Sequence, residues 1–138
     1  MQIVWKNLPL TGIHQYAMGA AVAAEAAQNQ GKFWEYHDKL FENQQKMMPD
    51  DLKQYAKDLG LDGAKFAADL DSPAIKQKIS ADMQEANGFG ISGTPAFFIN
   101  GHYLSGAQPF EGFARVINAE LTKLKLPIPP PPAPALAK

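Results

Sequence analysis

The sequence predicts an α/β protein of the α+β kind, in which a long helical region separates one short strand from a β-hairpin. Residues 2–8 are rich in the β-branched and aromatic side chains that favour strands. Residues 15–88 repeat apolar side chains at helical spacing. Residues 95–105 form two short apolar runs around an Asn-Gly pair, which predicts a hairpin. A last helix and a proline-rich end follow.

The first strand is predicted over about residues 2–8. Ile3, Val4 and Trp5 are strong β-formers, and Pro9 ends the run.

Five helices are predicted between residues 15 and 88. The first, about 15–30, is so rich in alanine that its thin face would let another helix approach closely. The second, about 32–47, carries one apolar stripe. The apolar residues of the third helix run from Leu52 to Leu59, and Gly60 follows as the signal that ends it. The whole region is read as a helical insertion.

Two helix starts have explicit capping signals. Asp62 is placed to cap a short fourth helix that contains Phe66 and Leu70. Ser72 followed by Pro73 predicts a capping side chain and then proline at the first helical position of the fifth helix.

The hairpin is predicted from strands at about 95–100 and 102–105. Ala96–Ile99 is apolar and aromatic, as expected of a strand buried on both faces. Asn100-Gly101 tolerates the positive φ angles of a type I′ turn. Pro95 cannot donate a ladder hydrogen bond, and the Thr94-Pro95 peptide bond is one of the few kinds that can be cis. The sequence leaves its isomer open.

The end of the chain contains a helix and then a different kind of segment. Pro109 begins a helix whose apolar side includes Phe113 and Leu121. Residues 127–138 are rich in proline, which predicts an extended polyproline-type linker or tail. A spacer towards another segment and a terminus that binds nothing both fit this composition.

Composition excludes several classes of function. A net charge of −1 with scattered basic residues gives no reason to expect a nucleic-acid partner. No apolar run reaches the ~18 residues of a membrane span, and the start lacks the pattern of a secretory signal. His14, His37 and His102 do not share the spacing of metal ligands, so no metal site and no cofactor are expected.

Three blocks of sequence together resemble one family. Residues 93–101 read Gly-Thr-Pro-Ala-Phe-Phe-Ile-Asn-Gly, and residues 104–110 follow with Leu-Ser-Gly-Ala-Gln-Pro-Phe. With the opening residues 3–10 and the block 31–41, they are similar to DsbA-like thiol-disulfide oxidoreductases of the thioredoxin superfamily. The resemblance runs from about residue 2 to about residue 124. It implies an incomplete thioredoxin-like domain over residues 1–126.

The resemblance also implies a site and a location. In this family the residue before a cis-proline offers its backbone to an extended polypeptide substrate. Carried over, the substrate-binding residues would be Gly93, Thr94 and Pro95. The family works in the bacterial periplasm or cell envelope.

One departure from the family is decisive for chemistry: the chain has no cysteine. Disulfide exchange needs a thiolate and a resolving thiol, so no catalytic residue is expected here and the chain alone should be redox-inactive. The family's first strand and its Cys-X-X-Cys helix come before the part that matches residues 2–8. Whether the chain counts as part of an enzyme therefore stays open.

The missing strand would be central in such a sheet, and its loss would expose unpaired backbone groups. A separate N-terminal segment could fill the gap, or a second copy could do so by strand exchange in a homo-oligomer. Residues 2–8 could also pair directly with the hairpin. We expect association rather than a lone monomer. The alternative function is a cysteine-free thioredoxin-fold module for binding or self-assembly.

Overall fold

The computed structural model describes residues 1–131, which contain six α-helices and one two-stranded antiparallel sheet. The helices are α1 Ala17–Gln28, α2 Phe33–Glu42, α3 Pro49–Asp58, α4 Gly63–Leu70, α5 Pro73–Gly88 and α6 Phe110–Lys123, and the strands are β1 Ala96–Ile99 and β2 His102–Ser105. They form two compact units, one from Met1 to Ser92 and one that begins at Gly93. The prediction of an α/β chain with an incomplete sheet is confirmed.

Helix α1 is the centre of the first unit and contacts α2, α3, α4 and α5. Its alanines Ala23, Ala26 and Ala27 are fully buried. Because an alanine side chain is a single methyl group, neighbouring helices can pack close to the α1 backbone. This is the thin face that the composition predicts.

Two of the largest fully buried side chains of this core, one on α2 and one on α4, contact each other. The rings of Tyr36 and Phe66 lie 5.7 Å apart. The Tyr36 hydroxyl donates a 2.8 Å hydrogen bond to the carbonyl of Leu52, at the start of α3. Burial raises the pKa of Tyr36, so the phenol stays a donor at any ordinary pH. A buried polar group is thereby satisfied inside an otherwise apolar core.

Helix ends follow the sequence signals in part. Asp62 caps α4, since its Oδ1 accepts the Lys65 N–H at 2.8 Å. Ser72 begins α5, but its side chain makes no capping hydrogen bond. Helix α2 ends at Glu42 rather than near residue 47, because the Asn43 side chain donates to the Lys39 carbonyl at 2.8 Å and competes with the ladder.

The predicted strand at residues 2–8 is wrong. Within the described chain, residues 1–10 have no regular secondary structure, and the backbone groups of residues 2–6 make no backbone hydrogen bond. A strand needs a neighbour, and the described residues supply none beside this segment. In the part of the chain that the structure describes, the sheet contains β1 and β2 and no third strand. Side-chain contacts fix the segment instead.

The second unit is the hairpin with α6. Strand β1 pairs with β2 so that Phe97 faces Leu104 and Ile99 faces His102. Both turn residues have positive φ, 48° at Asn100 and 86° at Gly101, as the type I′ prediction requires. The Phe97 ring packs edge-on against Phe113 of α6, with centroids 4.8 Å apart. The expectation that β1 is buried on both faces is wrong, because each of its side chains is at least partly exposed in the described unit.

The chain beyond α6 has no regular secondary structure as far as Pro131, and residues 127–131 are exposed. The remainder of the predicted tail, residues 132–138, lies outside the described residues. Among residues 1–131, no helix combines the length and the apolar character needed to cross a bilayer.

Candidate functional site

The predicted site residues Gly93, Thr94 and Pro95 lie together in the exposed bend that leads into β1. The Thr94–Pro95 peptide bond, whose isomer the sequence leaves open, is cis. The Pro95 carbonyl accepts the N–H of Gly106 at 2.9 Å, which extends the hairpin ladder by one bond. The backbone groups of Thr94 make no hydrogen bond with any described residue.

Glycine at position 93 is not required by the described structure. A Cβ built there would meet no atom within 4 Å, and the residue does not adopt a positive φ. The open space beside this residue is therefore a property of the bend and does not depend on the missing side chain.

A single carboxylate ties the turn of the hairpin to α6. Glu120 accepts hydrogen bonds from Asn100 Nδ2 at 3.2 Å and from Lys123 Nζ at 2.5 Å, and its Oε1 lies 3.1 Å from His102 Nε2. The hydrogen bond from Lys123 is the largest of the effects that lower the pKa of Glu120, with the Asn100 amide next. The carboxylate is thus held ionised as an acceptor for the turn.

A second group of polar residues, which the sequence analysis did not predict, lies in the first unit. Asn7, Glu25 and Asp82 are buried together where the N-terminal segment, residues 1–10, meets α1 and α5. The Asn7 side-chain amide donates to Glu25 Oε1 at 2.6 Å and to Asp82 Oδ2 at 3.0 Å. The Asn7 backbone N–H also donates to Asp82 Oδ2 at 3.0 Å. One asparagine therefore joins three parts of the fold.

Two lysines balance the buried carboxylates. Lys78 Nζ lies 2.5 Å from Glu25 Oε1 and 3.4 Å from Asp82 Oδ2. Lys6 Nζ lies 3.2 Å from Asp82 Oδ1 and 2.8 Å from Glu85 Oε2. We call Lys6, Asn7, Glu25, Lys78, Asp82 and Glu85 the anchor cluster.

Opposing influences act on the pKa of Asp82. Burial pushes it up, but hydrogen bonds from the Asn7 backbone, the Asn7 side chain and Lys6, with the nearby charge of Lys78, bring the net pKa below its usual value. The group is an ionised hydrogen-bond acceptor, which suits anchoring and not proton transfer near neutral pH.

One signal could have revealed this cluster. Ile75, Ile79 and Asp82 fall at positions i, i+4 and i+7 of α5, so an aspartate stands on the apolar face of that helix. A charged residue on a core-facing stripe calls for a buried partner. Its main partner, Asn7, lies far away in sequence and carries no such signal.

Aromatic side chains continue the anchor cluster towards the surface. The Trp5 indole donates to Asn7 Oδ1 at 3.2 Å, and its ring lies 4.9 Å from His37 and 6.2 Å from Trp34. Beside them is an open groove of about 310 Å³, whose walls include Val4, Trp5 and Trp34. Ile3 and Val4 are 66% and 67% exposed. The N-terminal segment is therefore anchored at one end and presents an apolar, unpaired edge at the other.

Comparison with known proteins identifies the family. The model of the DsbA-like thioredoxin domain matches residues 2–118. The chain is also 41% identical over 117 residues to the Na(+)/H(+) antiporter NhaA 3 of Salinispora tropica, an alignment that covers 85% of this chain and 18% of that protein. The Na(+)/H(+) antiporter NhaA of Herminiimonas arsenicoxydans is 40% identical over 119 residues, which is 86% of this chain and 19% of that protein.

The chain thus spans less than a fifth of the length of these curated relatives. The family model, in contrast, matches most of this chain. The match begins at residue 2, includes all five helices of the first unit and the hairpin, and ends within α6. The chain belongs to the DsbA-like thioredoxin domain family, as a member with no cysteine.

Proposed function

We propose that this chain is the cysteine-free portion of a DsbA-like thiol-disulfide oxidoreductase and supplies its scaffold and its docking loop for polypeptide substrates. The observation that supports this most is the exposed Gly93–Thr94–Pro95 bend within a family match that covers most of the chain. The chain has no sulfur nucleophile, so the thiolate must come from another segment or another molecule.

The bend suits recognition of an extended polypeptide. The backbone N–H and C=O of Thr94 have no partner among the described residues, so they are available for main-chain hydrogen bonds. Such bonds recognise extended backbone of any sequence, which fits a site for unfolded polypeptides. The bend has open space beside Gly93. The proposed place of work is the periplasm or cell envelope, as in the family.

The first test is redox activity. The chain alone should not accelerate insulin reduction above the buffer rate, because it contains no thiol to form a mixed disulfide. Activity of the pure chain would contradict the proposal.

The second test is docking. A reduced, carboxymethylated polypeptide should shift the backbone amide resonances of Thr94 and Ala96 in the labelled chain. Thr94→Arg should weaken this binding by placing a long charged side chain in the bend. Thr11→Arg is the matched control, since Thr11 is an exposed threonine of the first unit. Equal binding of the polypeptide by both variants would show that the bend is not part of the docking site.

A second candidate function rests on the relatives. Proteins named Na(+)/H(+) antiporters match this chain over 85–86% of its length but over only 18–19% of theirs. We therefore also consider that the chain is a binding module attached to an antiporter-like polypeptide. The size of the native polypeptide that contains this sequence, measured by immunoblot and peptide mass mapping, distinguishes a short protein from a domain of a long one.

The unpaired edge of residues 2–6 needs a partner under either function. The candidates are a separate cysteine-bearing segment, as in the rest of the family, and a second copy of this chain in a homo-oligomer. Both would add a strand beside Ile3 and Val4, which are exposed in the described structure.

A further inference from the structure

The chain contains two Asn-Gly pairs, Asn87-Gly88 and Asn100-Gly101. In such a pair the backbone nitrogen of the glycine can attack the side-chain amide carbon of the asparagine, because glycine has no Cβ to obstruct the approach. Asparagine is among the residues that limit the chemical lifetime of proteins. The two pairs are identical in sequence, so any difference in their reactivity must come from the structure.

The structure places the two pairs in different surroundings. Asn87 and Gly88 are the last residues of helix α5, where backbone N–H groups donate to carbonyls four residues back. Asn100 and Gly101 form the exposed turn of the hairpin, and the Gly101 N–H donates to no described carbonyl. Only the second pair therefore has a glycine nitrogen that can react without first breaking a helix.

The turn also belongs to a weak element. Strands β1 and β2 have four residues each and form a sheet of two strands within the described chain. An isolated two-stranded hairpin is marginally stable, and this one is supported by the contact of Phe97 with Phe113 of α6. Its turn residues are exposed, so the turn opens more readily than a packed helix. Opening lets Asn100 leave its left-handed conformation and reach the geometry needed for ring closure.

We propose that Asn100 is a site of spontaneous deamidation, and that the conversion releases the hairpin turn from helix α6. The Gly101 nitrogen loses its proton to solvent base and attacks Asn100 Cγ. A C–N bond forms, the Cγ–Nδ2 bond breaks, and ammonia leaves with the proton returned from solvent. Water then opens the cyclic imide at either carbonyl and produces aspartate or isoaspartate. No oxidant or cofactor is consumed.

The product no longer fits its surroundings. Asn100 Nδ2 donates to Glu120 Oε2 at 3.2 Å, so deamidation replaces a donor with a second carboxylate facing Glu120. Lys123 and His102 remain beside Glu120, but neither bonds to the turn residue itself. Isoaspartate adds a methylene to the main chain of a two-residue loop. The register in which Ile99 faces His102 cannot be kept with that insertion.

The effect on substrate docking rests on the proposed function, whereas the conversion itself does not. Strand β1 begins at Ala96, directly after Pro95, and the Pro95 carbonyl is paired with Gly106 across the hairpin. Loosening of the turn therefore loosens the element that holds the bend. Failure of docking in the unmodified chain would count against the proposed function alone.

The test is incubation of the full chain at mildly alkaline pH and body temperature, followed by trypsin digestion and fragment mass spectrometry. One tryptic peptide, from Ile79 to Arg115, contains both Asn-Gly pairs, so their conversion is compared within the same molecule. Conversion should be manyfold faster at Asn100 than at Asn87. In denaturant the two rates should converge, because the flanking structure is gone.

Three results would overturn the proposal: equal rates in the folded chain, faster conversion at Asn87, or conversion of both pairs only in denaturant. The structural consequence is tested with Asn100→Asp, with Asn87→Asp as the matched control. Amide hydrogen exchange at Phe97 and Leu104 should accelerate in the first variant and not in the second. Unchanged exchange in Asn100→Asp would show that the turn does not depend on the Asn100 amide.

Discussion

Asp82 makes more contacts in the anchor cluster than any other acidic residue of that cluster. It accepts from the backbone and the side chain of Asn7 and lies close to Lys6 and Lys78. A buried carboxylate is costly when it is unpaired, and here four donors meet it. The N-terminal segment makes no backbone hydrogen bond over residues 2–6, so its position depends on such side-chain contacts.

We expect Asp82→Asn to lower the free energy of unfolding by about 1–3 kcal/mol, since charge-assisted hydrogen bonds are replaced by neutral ones. Urea titration measures this. Asp71→Asn is the matched control, because Asp71 is exposed at the end of α4, and its effect should be within about 0.5 kcal/mol. Equal effects of the two substitutions would contradict the role given to Asp82.

The same residue predicts a pH dependence. The folded-state pKa of Asp82 lies below its usual value of 3.8, so its contribution to stability is present above that pH. The contribution is lost as the pH falls through the folded-state pKa. The difference in unfolding free energy between the original chain and Asp82→Asn should therefore shrink on acidification below 3.8. A difference that stays constant down to strong acid would show that the Asp82 charge does not matter.

At the scale of the element, two helix caps that the sequence predicts equally well differ in the hydrogen bonds that they make. Asp62 and Ser72 both stand at predicted N-caps, and both helices begin where predicted. The Asp62 carboxylate accepts the Lys65 N–H, whereas the Ser72 hydroxyl makes no such bond.

Asp62→Ala should therefore destabilise the chain by about 1 kcal/mol through loss of the α4 cap. Ser72→Ala is expected to cost less than about 0.5 kcal/mol, because Pro73 sets the first turn of α5 without the hydroxyl. Thermal or urea unfolding of the two variants measures this difference in stability. Equal destabilisation would mean that the observed cap bond is not what stabilises α4.

Local signals explain which elements could be predicted. The alanines of α1, Gly60 after α3 and the Asn100-Gly101 turn act within a few residues, so each was readable from the sequence. The strand at residues 2–8 was wrong because β-propensity describes a surface that fits a sheet and cannot supply the neighbouring strand. The anchor cluster was missed for a related reason: the bonds from Asn7 to Asp82 join residues 75 positions apart.

For the whole molecule, the exposed edge of the N-terminal segment predicts association. An apolar segment with unpaired backbone groups can pair with a strand of another chain. Sedimentation equilibrium should show self-association that rises with concentration. Ile3→Lys should weaken it, because a charge on an edge opposes strand pairing.

Ile13→Lys is the matched control for that experiment. Ile13 is 74% exposed, close to the 66% of Ile3, but it lies in a turn outside the unpaired edge. A chain that stays monomeric at high concentration, or equal weakening by both lysines, would show that residues 2–6 do not form the contact.

The aromatic side chains around Trp5 and Trp34 in the first unit provide an intrinsic fluorescence signal. Its two tryptophans, Trp5 and Trp34, lie 6.2 Å apart, and both are partly exposed. All tryptophan fluorescence therefore arises where the N-terminal segment contacts α2, and the unit that begins at Gly93 contains no tryptophan. A strand that fills the neighbouring edge would exclude water from both rings and move the emission to the blue. Occupancy of the missing strand can thus be followed in an unlabelled sample, by a signal to which the unit that begins at Gly93 contributes no tryptophan.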